Sequence, residues 1–210
     1  MLKVQQIINA PVPSNCFVLY DRTASNNCLI VDPGSKSDEA LFAFLEQMSL
    51  SPKYIILTHE HFDHCWGVNQ LVKQYHIPII CSKLCSEAIQ YEKRNCSVFY
   101  DNNISFTINS ETISTESIGN MIRLWDSDIL FYNTPGHTEA SICFTVNDFL
   151  FTGDTLLKDT RTVTKLPTGS AVRLEESKAL FSKMQGKGFA IFPGHGESFQ
   201  LDEYDLRKIK

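Results

Sequence analysis

The chain has 210 residues, 43% of them apolar, a formal net charge of -5 and a pI near 5.7. That length suits one domain spanning residues 1–210, with a core large enough to do without disulfide staples. The acidic balance and the lack of a basic stripe argue against nucleic acid as a partner. The apolar runs are too short to cross a bilayer, and Met1-Leu2-Lys3-Val4 leads straight into Gln5 and Gln6 with no signal core. A cytoplasmic protein without membrane attachment is the expectation.

In chain order, strand-like runs fall at Cys16–Tyr20, Cys28–Val31, Tyr54–Leu57 and Pro78–Cys81, then at Met121–Trp125, Ile129–Tyr132, Ser141–Val146, Phe149–Phe151 and Ala190–Phe192. Helical periodicity fits Ser37–Met48, where Leu41, Phe44, Leu45 and Met48 share a face, and the segment after Asp63, where Val68, Leu71, Val72 and Tyr75 recur. A third helix fits Arg173–Gln185 and is closed by Gly186 and Gly188. Strands with helices on their outer faces make a layered α/β sandwich. The seven cysteines (Cys16, Cys28, Cys65, Cys81, Cys85, Cys96 and Cys143) are odd in number, and no second pair joins Cys81 and Cys85 in a structural zinc site. They are expected to be small buried apolar residues.

The apolar strands end in polar turns: Asp32-Pro33-Gly34, Thr58-His59, Thr134-Pro135-Gly136-His137, Thr152-Gly153-Asp154 and Pro193-Gly194-His195-Gly196. Loops on a rigid scaffold commonly carry catalytic groups, and Gly and Pro let the chain turn sharply enough to aim the next side chain inward. The centre of the pattern is His59-Glu60-His61-Phe62-Asp63-His64. Imidazole and carboxylate suit zinc, iron or manganese. Residues two apart in an extended loop face the same way, so His59 and His61 can share one ion. Asp63 and His64 sit where the chain turns into a helix and can face another. Of the six histidines only His76 lies outside these motifs, and packing or capping at a helix end accounts for it.

These motifs, taken together and in this order, resemble the metallo-β-lactamase superfamily across nearly the whole chain. The resemblance implies a four-layer αββα sandwich with metals at one edge. It implies that His59, His61 and His137 hold one ion, that Asp63, His64 and His195 hold a second, and that Asp154 bridges them. Asp32 is implied to orient ligating groups. Within the superfamily, Thr134-Pro135-Gly136-His137-Thr138-Glu139-Ala140-Ser141 is similar to the TPGHTxGS stretch of small glyoxalase II-like hydrolases, with Ala140 where glycine is usual. The segment from Thr160 to Ser170 resembles their loop after the bridging aspartate, with Arg161 and Thr162 kept and Lys165 in place of an aspartate. Glyoxalase II itself grips glutathione through a C-terminal helical domain; this sequence runs only a short way past His195, so a glutathione thioester need not be the substrate, and the expectation is a glyoxalase II-like or other acyl thioester or ester.

The implied activity is hydrolysis of a small-molecule acyl thioester by a hydroxide shared between two divalent ions, zinc first, with Asp63 or Asp154 orienting it. Lys165, Arg161, Tyr91 and Arg94 are candidates to meet an anionic carrier, and Lys83–Asn103 is a candidate lid. Cys65 is expected to pack beneath the metals. A mononuclear iron oxygenase of the persulfide dioxygenase type is the alternative, because such relatives keep the same signature. A non-enzymatic, metal-stabilised module is a third reading, which the complete seven-residue set disfavours.

Overall fold

The inner strands are apolar at consecutive positions because both of their faces are covered. The computed structural model describes residues 1–100, 104–158 and 160–208. One six-stranded sheet holds β1 (Lys3–Ile8), β2 (Asn15–Tyr20), β3 (Asn27–Val31), β4 (Ser51–Ile56), β5 (Ile79–Cys81) and β6 (Thr112–Ser114) in that spatial order. The other runs from β7 (Met121–Leu124) through β8 (Ser127–Asn133), β9 (Ile142–Val146), β10 (Phe149–Gly153) and β11 (Ala190–Pro193) to β12 (Phe199–Gln200). Pairing is antiparallel from β1 to β3 and parallel from β3 to β6. In the second sheet only the β10–β11 pair is parallel.

Alternation along each strand sorts side chains into three cores. From β2 and β3, Phe17, Leu19, Leu29 and Val31 meet Ile142, Phe144, Val146 and Phe151 of the second sheet, forming the layer between the sheets. Their neighbours Cys16, Val18, Cys28 and Ile30 point the other way. They pack with Leu41 and Leu45 of α1 (Glu39–Gln47) and with Val68 and Leu71 of α3 (Val68–Tyr75). On the far side, Cys143, Leu150 and Ile191 pack against Leu174, Phe181 and Met184 of α6 (Ala171–Met184). The order of layers is therefore helices, sheet, sheet, helix, the αββα sandwich. Phe17 crosses from the first sheet to sit edge-on against Phe151 and Phe192, each 5.5 Å away between ring centroids. Burying such a ring stabilises by about 1.5–3 kcal/mol.

All nine expected strands form, with bounds shifted by a few residues. Leu57 lies just past β4, and Trp125 with Asp126 makes the left-handed turn into β8 (φ 52° and 58°). Strands β1, β6 and β12 were not expected. Each is at a sheet edge, paired on one side only, with partly exposed residues and so little apolar periodicity. The helix expected after Asp63 is two helices, α2 (Phe62–Cys65) and α3, separated by Trp66-Gly67. His76 caps α3 in a left-handed conformation (φ 51°), its N–H bonded to the Val72 carbonyl. The segment from Lys83, a candidate lid, is structured. It folds as α4 (Lys83–Ala88) and α5 (Ser97–Tyr100) and anchors in the core through Cys85, Ala88 and Ile89. Residues 101–103 of that segment lie outside the described residues. All seven cysteines are buried and unbridged. No helix among the described residues is long and apolar enough to cross a membrane.

Candidate metal centre

Five strand ends converge at one edge of the sandwich. Asp32 leaves β3, Thr58 and His59 follow β4, His137 lies in the turn from β8 to β9, Asp154 follows β10, and His195 follows β11. The β10–β11 register shifts between Phe151 and Gly153, immediately before Asp154. Such irregularities re-aim a side chain beside a site. Gly153 takes a left-handed φ of 47°, which the turn into Asp154 requires and glycine tolerates without strain.

The structure brings all seven expected side chains together. His59, His61 and His137 form one buried donor group, and Asp63, His64 and His195 form another. Asp154 touches both. Its Oδ2 lies 3.6 Å from His137 Nε2 and 3.4 Å from His195 Nε2, and its Oδ1 lies 3.6 Å from His64 Nε2. Asp63 Oδ2 lies 3.4 Å from His195 Nε2. Three histidines are aimed by bonds on their far nitrogens. Nδ1 of His137 is 2.7 Å from the Val163 carbonyl, Nδ1 of His195 is 3.0 Å from the Pro13 carbonyl, and Nδ1 of His64 is 3.2 Å from Asp32 Oδ2. Outer contacts of this kind fix ring orientation and tautomer in metal sites.

Asp32 also groups with His59 and His64, but its oxygens are already engaged. Oδ1 accepts the Thr58 N–H at 2.8 Å, and Oδ2 accepts the Thr58 hydroxyl at 2.6 Å. The Thr58 hydroxyl in turn lies 3.0 Å from His59 Nδ1. Asp32 is thus placed to orient its neighbours, as expected.

The side chains of the cluster are electrostatically divided. Burial and the neighbouring histidines push His59 well below the ordinary imidazole range. Burial, reinforced by His137, brings His61 down to about 3. Burial opposes charge on His64 too, yet Asp63, Asp154 and Asp32 outweigh it and raise that ring to about 10. Burial would raise Asp63, but His64 and His195 hold its carboxyl below the usual range. His59 Nε2, His61 Nε2 and Asp154 Oδ1 are buried with no hydrogen-bond partner among the described residues. A buried polar atom left unpaired costs about 1–3 kcal/mol. Three of them converging in a nest of imidazole and carboxylate fit divalent cations, which take up such lone pairs directly.

The family model for the metallo-beta-lactamase superfamily matches residues 9–195, which contain every one of these side chains. The chain belongs to the metallo-β-lactamase superfamily. An uncharacterized protein of Mycobacterium leprae is 30% identical over 192 residues, covering 88% of this superfamily member and 87% of the relative. The hydroxyacylglutathione hydrolase of Pectobacterium carotovorum is 31% identical over 151 residues. That match covers 71% of this chain but only 51% of the hydrolase, so the chain spans about half the length of that relative. Among solved structures, the BLEG-1 B3 metallo-beta-lactamase superposes with a TM-score of 0.83 at 24% identity, covering 95% of this chain and 94% of that one, a likeness of fold. The superfamily is mostly one of metal-dependent hydrolases.

Asn9 and Ser14 support the site and gave no signal in the sequence, and Thr162, legible there only through the loop resemblance, supports it too. Asn9 donates to the Asp32 carbonyl at 3.0 Å and to the Ser14 hydroxyl at 2.8 Å, and Ser14 donates to the Asp63 carbonyl. Thr162 donates to the Asp154 carbonyl at 2.8 Å, pinning the loop after the bridging position. The proposed carrier contacts do not join the cluster. Arg161 and Lys165 are exposed, Arg94 pairs with Glu139 at 3.5 Å, and Tyr91 and Arg94 line a separate cavity of about 630 Å³. Cys65 is fully buried with its thiol toward the Glu60 carbonyl at 3.3 Å, and burial pushes its pKa up.

Proposed function

We propose that this protein is a metal-dependent thioester hydrolase that acts on a small acyl thioester. His59, His61 and His137 would hold one divalent cation and Asp63, His64 and His195 a second, with zinc the expected metal at both. The observation that carries the reading is the position of Asp154, whose carboxylate lies within 3.6 Å of His137 and within 3.4 Å of His195 and so belongs to both donor groups. The similarity to hydroxyacylglutathione hydrolase supports the reaction class.

Bound to such donors, divalent cations lower the pKa of coordinated water toward neutrality and polarise a carbonyl oxygen. The protein's own part is orientation and proton handling. The Asp63 carboxylate would accept a hydrogen bond from the attacking water and aim it at the thioester carbonyl. Asp154, which reaches both donor groups, would do the same. Cys65, Ser141 and Ser170 are not free to act as nucleophiles. The Cys65 thiol is buried, Ser141 bonds with Thr138, and Ser170 caps α6. Water is therefore the nucleophile. Seven unbridged thiols suit the reducing cytoplasm, where this reading places the enzyme.

Metal analysis of the natively purified protein, followed by a thioester panel, tests the proposal. About two zinc ions per chain and hydrolysis of at least one acyl thioester are expected. About one iron per chain with persulfide-dependent oxygen uptake would replace this reading with an oxygenase.

A further inference from the structure

A cavity of about 470 Å³ is lined by Phe62, Cys96, Phe99, Tyr100, Leu166 and Pro167. Both of its walls are tied to the candidate metal centre. Phe62 lies between His61 and Asp63, and its N–H donates to the Asn95 carbonyl at 2.8 Å, which holds the segment carrying Cys96, Phe99 and Tyr100 against the histidine loop. Leu166 and Pro167 belong to the loop whose Val163 carbonyl orients His137. The lining is almost wholly carbon. Phe99, Tyr100 and Leu166 are 69%, 46% and 44% exposed, large apolar groups facing one groove in water. Scattered exposed apolar residues are ordinary; a contiguous set around a cavity beside a reaction centre marks a ligand site.

We infer that this groove binds the apolar acyl chain of the substrate, so that the enzyme prefers medium-chain over acetyl-sized or hydroxylated acyl groups. The inference rests on the thioester-hydrolase reading and narrows it. The acyl side is the part that fits. A thiol carrier brings amides and anions that lose free energy when desolvated without partners, and this lining offers them almost none. An alkyl chain needs no partners and gains about three- to fourfold in binding for each methylene fully removed from water.

Two measurements separate the groove from the chemistry. Isothermal titration with S-methyl- and S-octyl-pantetheine thioethers, which cannot be hydrolysed, reads binding alone. The octyl compound is expected to bind at least tenfold more tightly, and Leu166→Asp and Phe99→Asp are each expected to remove most of that difference. Both residues are exposed, so these substitutions leave the core intact. In turnover, kcat/KM on acyl-pantetheine thioesters from acetyl to decanoyl is expected to climb and then level off. Chain-dependent binding with no thioester turnover keeps the groove and overturns the hydrolase reading. Turnover that is flat with chain length, with equal affinity for both thioethers, overturns the groove and keeps the hydrolase. A concentration-dependent dimer that Leu166→Asp abolishes, with no chain-length effect, would assign the patch to a second copy and also overturn the inference.

Discussion

Gly194 stands one residue before His195, and a methyl group there has nowhere to go. A Cβ at this position would lie 2.1 Å from Asp154 Oδ1, 2.9 Å from the Gly153 carbonyl carbon and 2.9 Å from His64 Cε1. The backbone cannot retreat easily, because the Gly194 N–H donates to the Gly153 carbonyl at 2.8 Å and its carbonyl accepts the Asn15 N–H at 2.7 Å. The contacts must be relieved by moving Asp154, which reaches both donor groups, and His64, which belongs to one of them. Overpacking of this kind costs about 1–3 kcal/mol. If that cost falls on the metal-bound arrangement, Gly194→Ala weakens zinc binding by roughly five- to 150-fold at 1.4 kcal/mol per decade. Competition titration of the metal-free protein against a chromophoric chelator measures it directly. Gly186→Ala is the matched control: its φ is +81°, no atom lies within 4 Å of the added Cβ, and it sits beyond α6 away from the cluster. That substitution should lower stability by about 1–2 kcal/mol through backbone strain and leave zinc affinity unchanged. Wild-type zinc affinity in Gly194→Ala, or an equal loss in Gly186→Ala, would refute the reasoning.

Asp154→Ala should reduce bound metal to one ion or none and lower kcat/KM at least about 100-fold, as read by elemental analysis and turnover on the same preparation. Thr58→Val deletes the hydroxyl that joins Asp32 to His59 and should weaken metal binding about ten- to 100-fold; unchanged affinity would remove Asp32 and Thr58 from the orienting role. Asp38 is buried with one carboxylate oxygen unpartnered, and burial raises its pKa from 3.8 to about 7. The folded chain therefore keeps this proton up to about pH 7, whereas the unfolded chain releases it near 3.8. The stability gained is complete below the lower value and is lost as pH rises to the upper one. Asn is neutral throughout, so Asp38→Asn should gain on wild type across that window, by at most about 4 kcal/mol at 1.36 kcal/mol per pH unit. Urea unfolding of the metal-free proteins at pH 4.5 and pH 8 checks it, and a pH-independent difference would count against the buried carboxyl.

What could be read from the sequence depended on whether a role needs a particular side chain. Side-chain metal donors come from a few residue types, among them imidazole and carboxylate, so His59, His61, Asp63, His64, His137, Asp154 and His195 were visible as residue types, and the Pro and Gly beside several of them marked the strand ends. The inner strands were visible for a similar reason: burial on both faces demands unbroken apolar runs such as Cys28 to Val31. Edge strands make no such demand, and β1, with its sequence Lys-Val-Gln-Gln-Ile-Ile, looks like solvated chain until it pairs with β2. The aiming of the site was hidden for another reason. His137 and His195 are oriented by the carbonyls of Val163 and Pro13, and any residue supplies a carbonyl. Asn9 and Ser14, which tie the Asp32 turn to Asp63 across the chain, have the composition of an ordinary polar turn. The apolar groove is split between Phe62, the residues after Asn95 and the loop at Leu166, three segments too far apart in sequence to suggest a shared surface. Donor chemistry is written in side-chain identity, while orientation and groove shape come from backbone placement, and so the convergence of the seven candidate donors could be anticipated residue by residue while the features that set their aim and the apolar groove could not.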